Sequence, residues 1–293
     1  MYKAFYNLCR NPFEITPNPF FLFLTKGHTE ALAALYYGIS RHKGFVVMTG
    51  EVGTGKTLLV RSVLQLLKHS NVAYAYVFNS RLSSLEFLQY VAEDFGLAAL
   101  GKTKNEVLLD LNKYLIARHE KNLTTVLVVD EAHHLSAEVL EEIRLLTNLE
   151  TTQEKLLQIL LVGQPELDEK LDSFDLRQLK QRIAVRSRLE PLDLQETTSY
   201  IQRRLHLAGA NSNAGDLFPD ETIAEVYRHS RGIPRVINTL CENALIGAYA
   251  RQLRSVPPDI IDEVTADFRL NAADSRRAEQ TPGRVIQRTS HRW

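Results

Sequence analysis

The chain has 293 residues, 44% hydrophobic and 24% charged, with 35 Lys and Arg balancing 35 Asp and Glu. This composition suits one large or two unequal globular domains and excludes disorder throughout; the charge balance excludes a uniformly basic nucleic-acid coat. Cys9 and Cys241 have no near neighbours in sequence, which excludes a CxxC metal site and a disulfide framework and suits a reducing compartment.

The first twelve residues lack the apolar core of a secretory signal. The most apolar early stretch, residues 20–24, is far shorter than the about 20 residues of a spanning helix. The reading is a cytoplasmic protein that reaches a membrane only through a partner.

Residues 44–49 form a compact β run, and 56–68 follow with Leu58, Leu59, Val63, Leu66 and Leu67 at helical spacing. A second strand is predicted over 72–79, helices over 85–95 and 104–119, and a buried strand over 124–129. Leu140, Ile143 and Leu146 predict a helix over 137–149, and 156–162 one more buried strand. Strands alternating with helices predict an α/β fold with a parallel sheet covered on both faces.

After residue 191 the pattern becomes helical. Asp193 and Glu196 form a capping box, helical spacing continues to 207, and further helices are predicted over 220–230, 234–253 and 258–268. Residues 211–215 read as a loop. Apolar content falls from 271, and residues 276–293 hold five arginines against one acid, a flexible basic tail. The expected domains are 1–190, an α/β nucleotide-binding domain with an N-terminal wrapping segment, 191–270, a small all-α lid, and 271–293, the tail.

The strongest motif is Gly50-Glu51-Val52-Gly53-Thr54-Gly55-Lys56-Thr57, with Leu58 behind it. It fits G-x-x-x-x-G-K-[ST] and lies between a predicted strand and a predicted helix. Glycines let backbone N–H groups wrap a phosphate, and the helix start adds its dipole. Lys56 neutralises the outer phosphates, and Thr57 offers a hydroxyl to Mg²⁺. The second motif, residues 125–131, is a buried strand ending in Asp130 and Glu131. Asp130 suits Mg²⁺, mostly through water; Glu131 suits polarising an attacking water, which predicts hydrolysis rather than transfer to another substrate.

These motifs resemble the AAA+ class of P-loop ATPases. More narrowly, the chain resembles the ExeA-type family, the general secretion pathway protein A ATPases, over residues 1–268. The opening Asn11-Pro12-Phe13, Thr16-Pro17-Asn18-Pro19 and Phe21-Leu22, then His28, Tyr37-Gly38-Ile39, Asp130-Glu131-Ala132-His133 and Gly163-Gln164-Pro165-Glu166-Leu167 carry that likeness. The resemblance implies a parallel-sheet P-loop NTPase domain followed by the helical lid, with ATP and Mg²⁺ bound between them.

It implies Gln164 as a sensor of the γ-phosphate or attacking water. In Gly232-Ile233-Pro234-Arg235, Arg235 would be a second sensor. In the 176–183 stretch an arginine finger is implied, Arg182 first, with Arg177 and Arg186 as rivals. Asn79 is a candidate to orient Glu131, and His133 and His134 take structural roles beside the site. Pro12, Phe13, Pro17, Phe20 and Phe21 would wrap the base and pack over the sheet. The implied partners are further copies of the chain, in a ring or filament, and a membrane-associated component of secretion, pilus or polysaccharide export. DNA is the second candidate, as in transposition helpers.

Overall fold

A computed structural model describes residues 2–16, 18–68, 71–78, 82–210 and 214–268. Contacts divide the chain into an α/β unit, Thr16–Leu192 with Ile233–Arg235, and a helical unit, Met1–Ile15 with Asp193–Gly232 and the chain from Val236 onward.

The chain opens in the helical unit with α1 (Tyr2–Phe5). The α/β unit then runs α2 (Lys26–Ser40), β1 (Phe45–Gly50), α3 (Lys56–Leu67), β2 (Ala73–Val77), α4 (Ser84–Asp94), α5 (Lys104–His119) and β3 (Thr125–Val129). It continues through α6 (Ala137–Leu146), β4 (Gln158–Gly163), α7 (Glu166–Leu171), α8 (Arg177–Lys180) and β5 (Val185–Leu189). Every strand pairing is parallel, in the order β2-β3-β4-β1-β5.

Alternation along the strands sorts side chains to two faces. Phe45 and Val47 of β1 join a core built with α4 to α8, while Val46 and Met48 join a core built with α2 and α3. Strands β1, β3 and β4 are buried at every position, which is why they read as unbroken apolar runs. Capping boxes fix two helix starts: Ser83 with Glu86 for α4, and Thr103 with Glu106 for α5.

Four elements of this unit were not foreseen: the short helices α7 and α8, strand β5 and helix α2. Strand β5 alternates Val185, Arg186, Ser187, Arg188 and Leu189 at the sheet edge, so only Val185 and Leu189 are apolar. Helix α2 fills the face opposite α4 to α8, burying Ala31, Leu35 and Ile39.

The helical unit holds α9 (Leu194–Leu207), α10 (Ala214–Leu217), α11 (Asp220–Ser230), α12 (Pro234–Ala250) and α13 (Pro258–Asp267); the first two residues of α12 group with the α/β unit. The Asp193–Glu196 capping box opens α9, and α10 begins inside the segment expected as a loop.

Residues 1–15 group with the helical unit. Phe13 lies edge-on to Phe218 with ring centres 5.8 Å apart, the Tyr2 hydroxyl donates to Glu242, and the Tyr6 hydroxyl donates to the Leu253 carbonyl. Buried Arg204 donates to the Pro12 carbonyl at 2.5 Å and to the Tyr200 hydroxyl at 2.7 Å. Aromatic residues announce burial in a sequence but not which surface they cover. Pro17, Asn79, residues 211–213 and the basic tail lie outside the described residues.

Among the described residues, no helix is long and apolar enough to cross a membrane.

Candidate functional site

Parallel strands bring their carboxyl ends to one edge of the sheet, where open α/β sheets place their ligands. With β4 between β3 and β1, that edge carries the glycine loop after β1, Asp130 and Glu131 after β3, and Gln164 after β4.

The loop spans residues 50–55 and leads into the twelve-residue α3. Gly53 has φ +85 and Gly55, the residue capping α3, has φ +100, a region that side chains strain to enter. A Cβ on Gly53 would also stand 2.6 Å from the Arg235 Cβ. Thr54 is buried, Glu51 half-buried and Val52 exposed; Leu58 is half-buried in the first turn of α3. His28 of α2 buttresses the loop: its Nε2 lies 3.1 Å from the Thr54 carbonyl and its Nδ1 2.9 Å from Thr25 Oγ1. A carbonyl only accepts, so Nε2 carries the proton.

Lys56 is 7% exposed, and its ammonium donates to the Gly50 carbonyl at 2.7 Å and the Glu51 carbonyl at 2.9 Å. Burial holds its pKa below the ordinary lysine value, against the pull of Glu131 and Asp130. A phosphate group would give that buried cation the close anionic partner it needs.

Asp130 anchors the other half of the site. Its Oδ2 accepts from Thr57 Oγ1 and from the Tyr76 hydroxyl, both at 2.9 Å, and its Oδ1 accepts from the Glu131 N–H at 2.9 Å. Two hard oxygen donors, Thr57 Oγ1 and Asp130 Oδ2, are thus within one hydrogen bond of each other, a donor set that suits Mg²⁺.

Glu131 is exposed and sits in the left-handed region at φ 52, ψ 36, a strained conformation for a side chain of its size. Gln164 Nε2 approaches its Oε2 at 3.4 Å, and His133 Nδ1 lies 3.5 Å from the same oxygen. The Gln164 N–H donates to His133 Nδ1 at 3.4 Å, a long bond that calls for a neutral ring. Burial first and His134 second keep the His133 pKa below the usual imidazole value, outweighing the raising effect of Glu131. Lys170 pins this corner by donating to the carbonyls of His133 and Leu135, each at 2.7 Å.

The structure therefore brings together the loop from Gly50 to Thr57, Asp130, Glu131 and Gln164. It also places Arg235 beside the loop, through an Arg235 N–H to Gly53 carbonyl bond of 3.2 Å. It does not bring Arg182 there. That guanidinium donates to Thr147 Oγ1 at 2.5 Å and Asn148 Oδ1 at 2.6 Å, and it lines a small cavity with Gly44 and Phe45 at the opposite, amino end of β1. Arg177 lies over the Phe174 ring at 4.3 Å, and Arg186 sits 3.6 Å from Asp168. His28 and Tyr76 are site residues that motif reading missed, because neither belongs to a motif of fixed spacing.

A model of the AAA domain family matches residues 39–171. General secretion pathway protein A of Aeromonas hydrophila is 43% identical over 252 residues, which cover 86% of this chain and 45% of that protein. Over most of its length the chain is similar to the ExeA-type family of AAA+ P-loop NTPases. It spans about half the length of this relative.

A second, shorter likeness is to the Mu-like prophage FluMu DNA transposition protein B of Haemophilus influenzae, 34% identical over 97 residues, covering 33% of this chain and 31% of that protein. Among solved structures, the ORC2 protein of Aeropyrum pernix, in ADPNP-ADP complexes, superimposes with a TM-score of 0.65 at 19% identity, covering 88% of this chain and 71% of that one. The RuvB Holliday junction branch migration motor of Thermotoga maritima gives a TM-score of 0.53 at 16% identity, covering 83% and 69%. These two show that the chain has the AAA+ fold.

Proposed function

We propose that this chain binds ATP with Mg²⁺, hydrolyses it to ADP and phosphate, and uses the cycle to drive assembly or transport in an envelope secretion system. One observation carries the nucleotide part: Thr57, Asp130 and Glu131 are linked by hydrogen bonds across two strand ends, beside a buried Lys56 in a glycine loop. The identity to general secretion pathway protein A supports the secretion part.

Backbone N–H groups of the loop and the start of α3 receive the phosphates, and Lys56 leaves the Gly50 and Glu51 carbonyls to neutralise them. Thr57 and Asp130 would hold Mg²⁺, which when bound draws charge from the phosphate oxygens. Glu131 accepts a proton from water as the water oxygen attacks the γ-phosphorus and the bond to the β-γ bridging oxygen breaks. Gln164, 3.4 Å from the Glu131 carboxylate, steadies that acid and senses the γ-phosphate. Arg235, held at the loop by its main chain, serves as the second sensor.

Arg182 acts outside its own site, as a finger toward a neighbouring copy, so the working form is an oligomer. A membrane-associated component of the secretion, pilus or polysaccharide-export kind receives the output, and the chain works in the cytoplasm against the inner membrane through that partner.

Calorimetry and phosphate release test the core of this reading. Lys56→Ala should lose ATP binding, whereas Glu131→Gln should keep binding and slow turnover by about 10²–10⁴. Unaltered binding in the Lys56 variant refutes the assignment. The likeness to a transposition protein favours one second reading, action on DNA. A salt-dependent, ATP-linked DNA affinity below micromolar, at about 150 mM salt, would select it.

A further inference from the structure

Strand β2 is an edge of the sheet, and its alternate residues Tyr74 and Tyr76, with Phe78 just past its end, face α3. A cavity of about 660 Å³ lies there, walled by these three rings, by Arg61 of α3 and Lys68 just past its end, and by Tyr90 and Asp94 of α4. Tyr74, Phe78 and Tyr90 are 42%, 58% and 40% exposed, a high exposure for large rings gathered at one place. Tyr76 and Phe78 stack with centres 4.3 Å apart and planes inclined by 25°. Arg61 and Lys68 are exposed and make no ion pair among the described residues.

The edge of β2 is not open to another strand. The outward N–H of Tyr76 is taken by Asp94 Oδ2 at 2.6 Å, so an incoming chain would have to displace that carboxylate. What remains is a platform of aromatic faces with two cations at its rim, the Asp94 carboxylate being engaged by the Tyr76 N–H. Aromatic faces stack on planar heterocycles, and unpaired Arg and Lys beside them take the attached anion. At the floor, the Tyr76 hydroxyl donates to Asp130 Oδ2, the oxygen that also accepts from Thr57.

We propose that this cavity is an effector site for a nucleotide unit, its base stacked on the exposed rings and its phosphate held by Arg61 and Lys68, with Tyr76 reporting occupancy to Asp130. The unit comes either as a free small nucleotide or as part of a single strand. The binding half stands by itself; the coupling half rests on the hydrolysis reading above.

The test uses the full chain carrying Lys56→Ala, which silences the phosphate loop. The probes are cyclic AMP, which has no polyphosphate tail, and a labelled oligothymidylate of about ten nucleotides. Binding of cyclic AMP identifies a free nucleotide as the source, and binding of the oligothymidylate alone identifies a strand. In either case Tyr90→Ala or Lys68→Ala, both exposed positions, should weaken binding about tenfold. No binding of either probe up to about 1 mM, or binding indifferent to both substitutions, overturns the site.

With Lys56 restored, the saturating probe should change ATP turnover by about threefold. Tyr76→Phe, which keeps the ring and removes the hydroxyl, should keep probe affinity and abolish that response. A full response in Tyr76→Phe overturns the coupling. Absence of all turnover in the unsubstituted chain would refute the hydrolysis reading, while the binding titration still decides the site.

Discussion

The His28→Ala substitution tests how far the phosphate loop is built before any ligand arrives. His28 makes two side-chain contacts, to Thr25 Oγ1 at 2.9 Å and the Thr54 carbonyl at 3.1 Å. Each such bond contributes about 0.5–1.5 kcal/mol net. Because Thr54 is 1% exposed, its carbonyl has little access to water once the imidazole is gone, and an orphaned buried acceptor costs about 1–3 kcal/mol. The expected destabilisation is about 2–5 kcal/mol, or roughly 4–15 °C in Tm. Urea unfolding and a thermal melt measure it. A loosened Thr54 also lets the neighbouring N–H groups drift, so ATP affinity by calorimetry should fall about tenfold. Glu30→Ala, on the exposed side of the same helix, is the control and should stay within about 0.5 kcal/mol. A His28→Ala chain as stable as that control, with unchanged ATP affinity, refutes the buttress.

Thr57→Val should leave ATP binding in EDTA unchanged while raising the Mg²⁺ midpoint for turnover several-fold, measured by magnesium titration. His133 gives a pH dependence: its folded pKa lies below the unfolded value of about 6.5, so the unfolded chain binds the proton first. The stability it contributes is therefore complete above about pH 6.5 and is lost as pH falls through the folded value. Urea midpoints should drop further on acidification in the wild type than in His133→Gln. Mixing Glu131→Gln with Arg182→Ala subunits should restore turnover at hybrid interfaces; failure to recover argues against a finger acting in trans. Arg204→Ala, which frees the Pro12 carbonyl and Tyr200 hydroxyl of a buried partner, should cost about 2–4 kcal/mol and expose the first fifteen residues to protease.

The legible parts of the fold share a physical cause. Residues 126–129 and 159–162 are buried on both faces, so their chemistry is apolar without interruption and no partner need be known to read them. Asp193 and Glu196 are legible because a capping box is local, closed within three residues. The glycine loop is legible for the same reason: Gly53 and Gly55 sit where the backbone itself needs them.

Edge strand β5 escaped because burial on one side leaves every second position free for Arg186 and Arg188. His28 and Tyr76 escaped because their roles depend on partners 26 and 54 residues away, Thr54 and Asp130. A lone histidine and a strand tyrosine carry no spacing that would flag them. The placement of residues 1–15 is non-local in the extreme, with Tyr2 meeting Glu242 across 240 positions.

That last contact bears on how the protein can be dissected. The matched AAA segment begins at residue 39, which invites a shortened chain that starts there. Such a truncation would remove Tyr2, Tyr6, Leu8 and Phe13, all buried and all belonging to the helical unit at the other end of the sequence. The damage would surface far downstream of the cut, as bare apolar surface around Phe218 and an Arg204 without the Pro12 carbonyl. An expression strategy that respects this architecture keeps the first fifteen residues and also α2, which carries His28, Ala31 and Leu35.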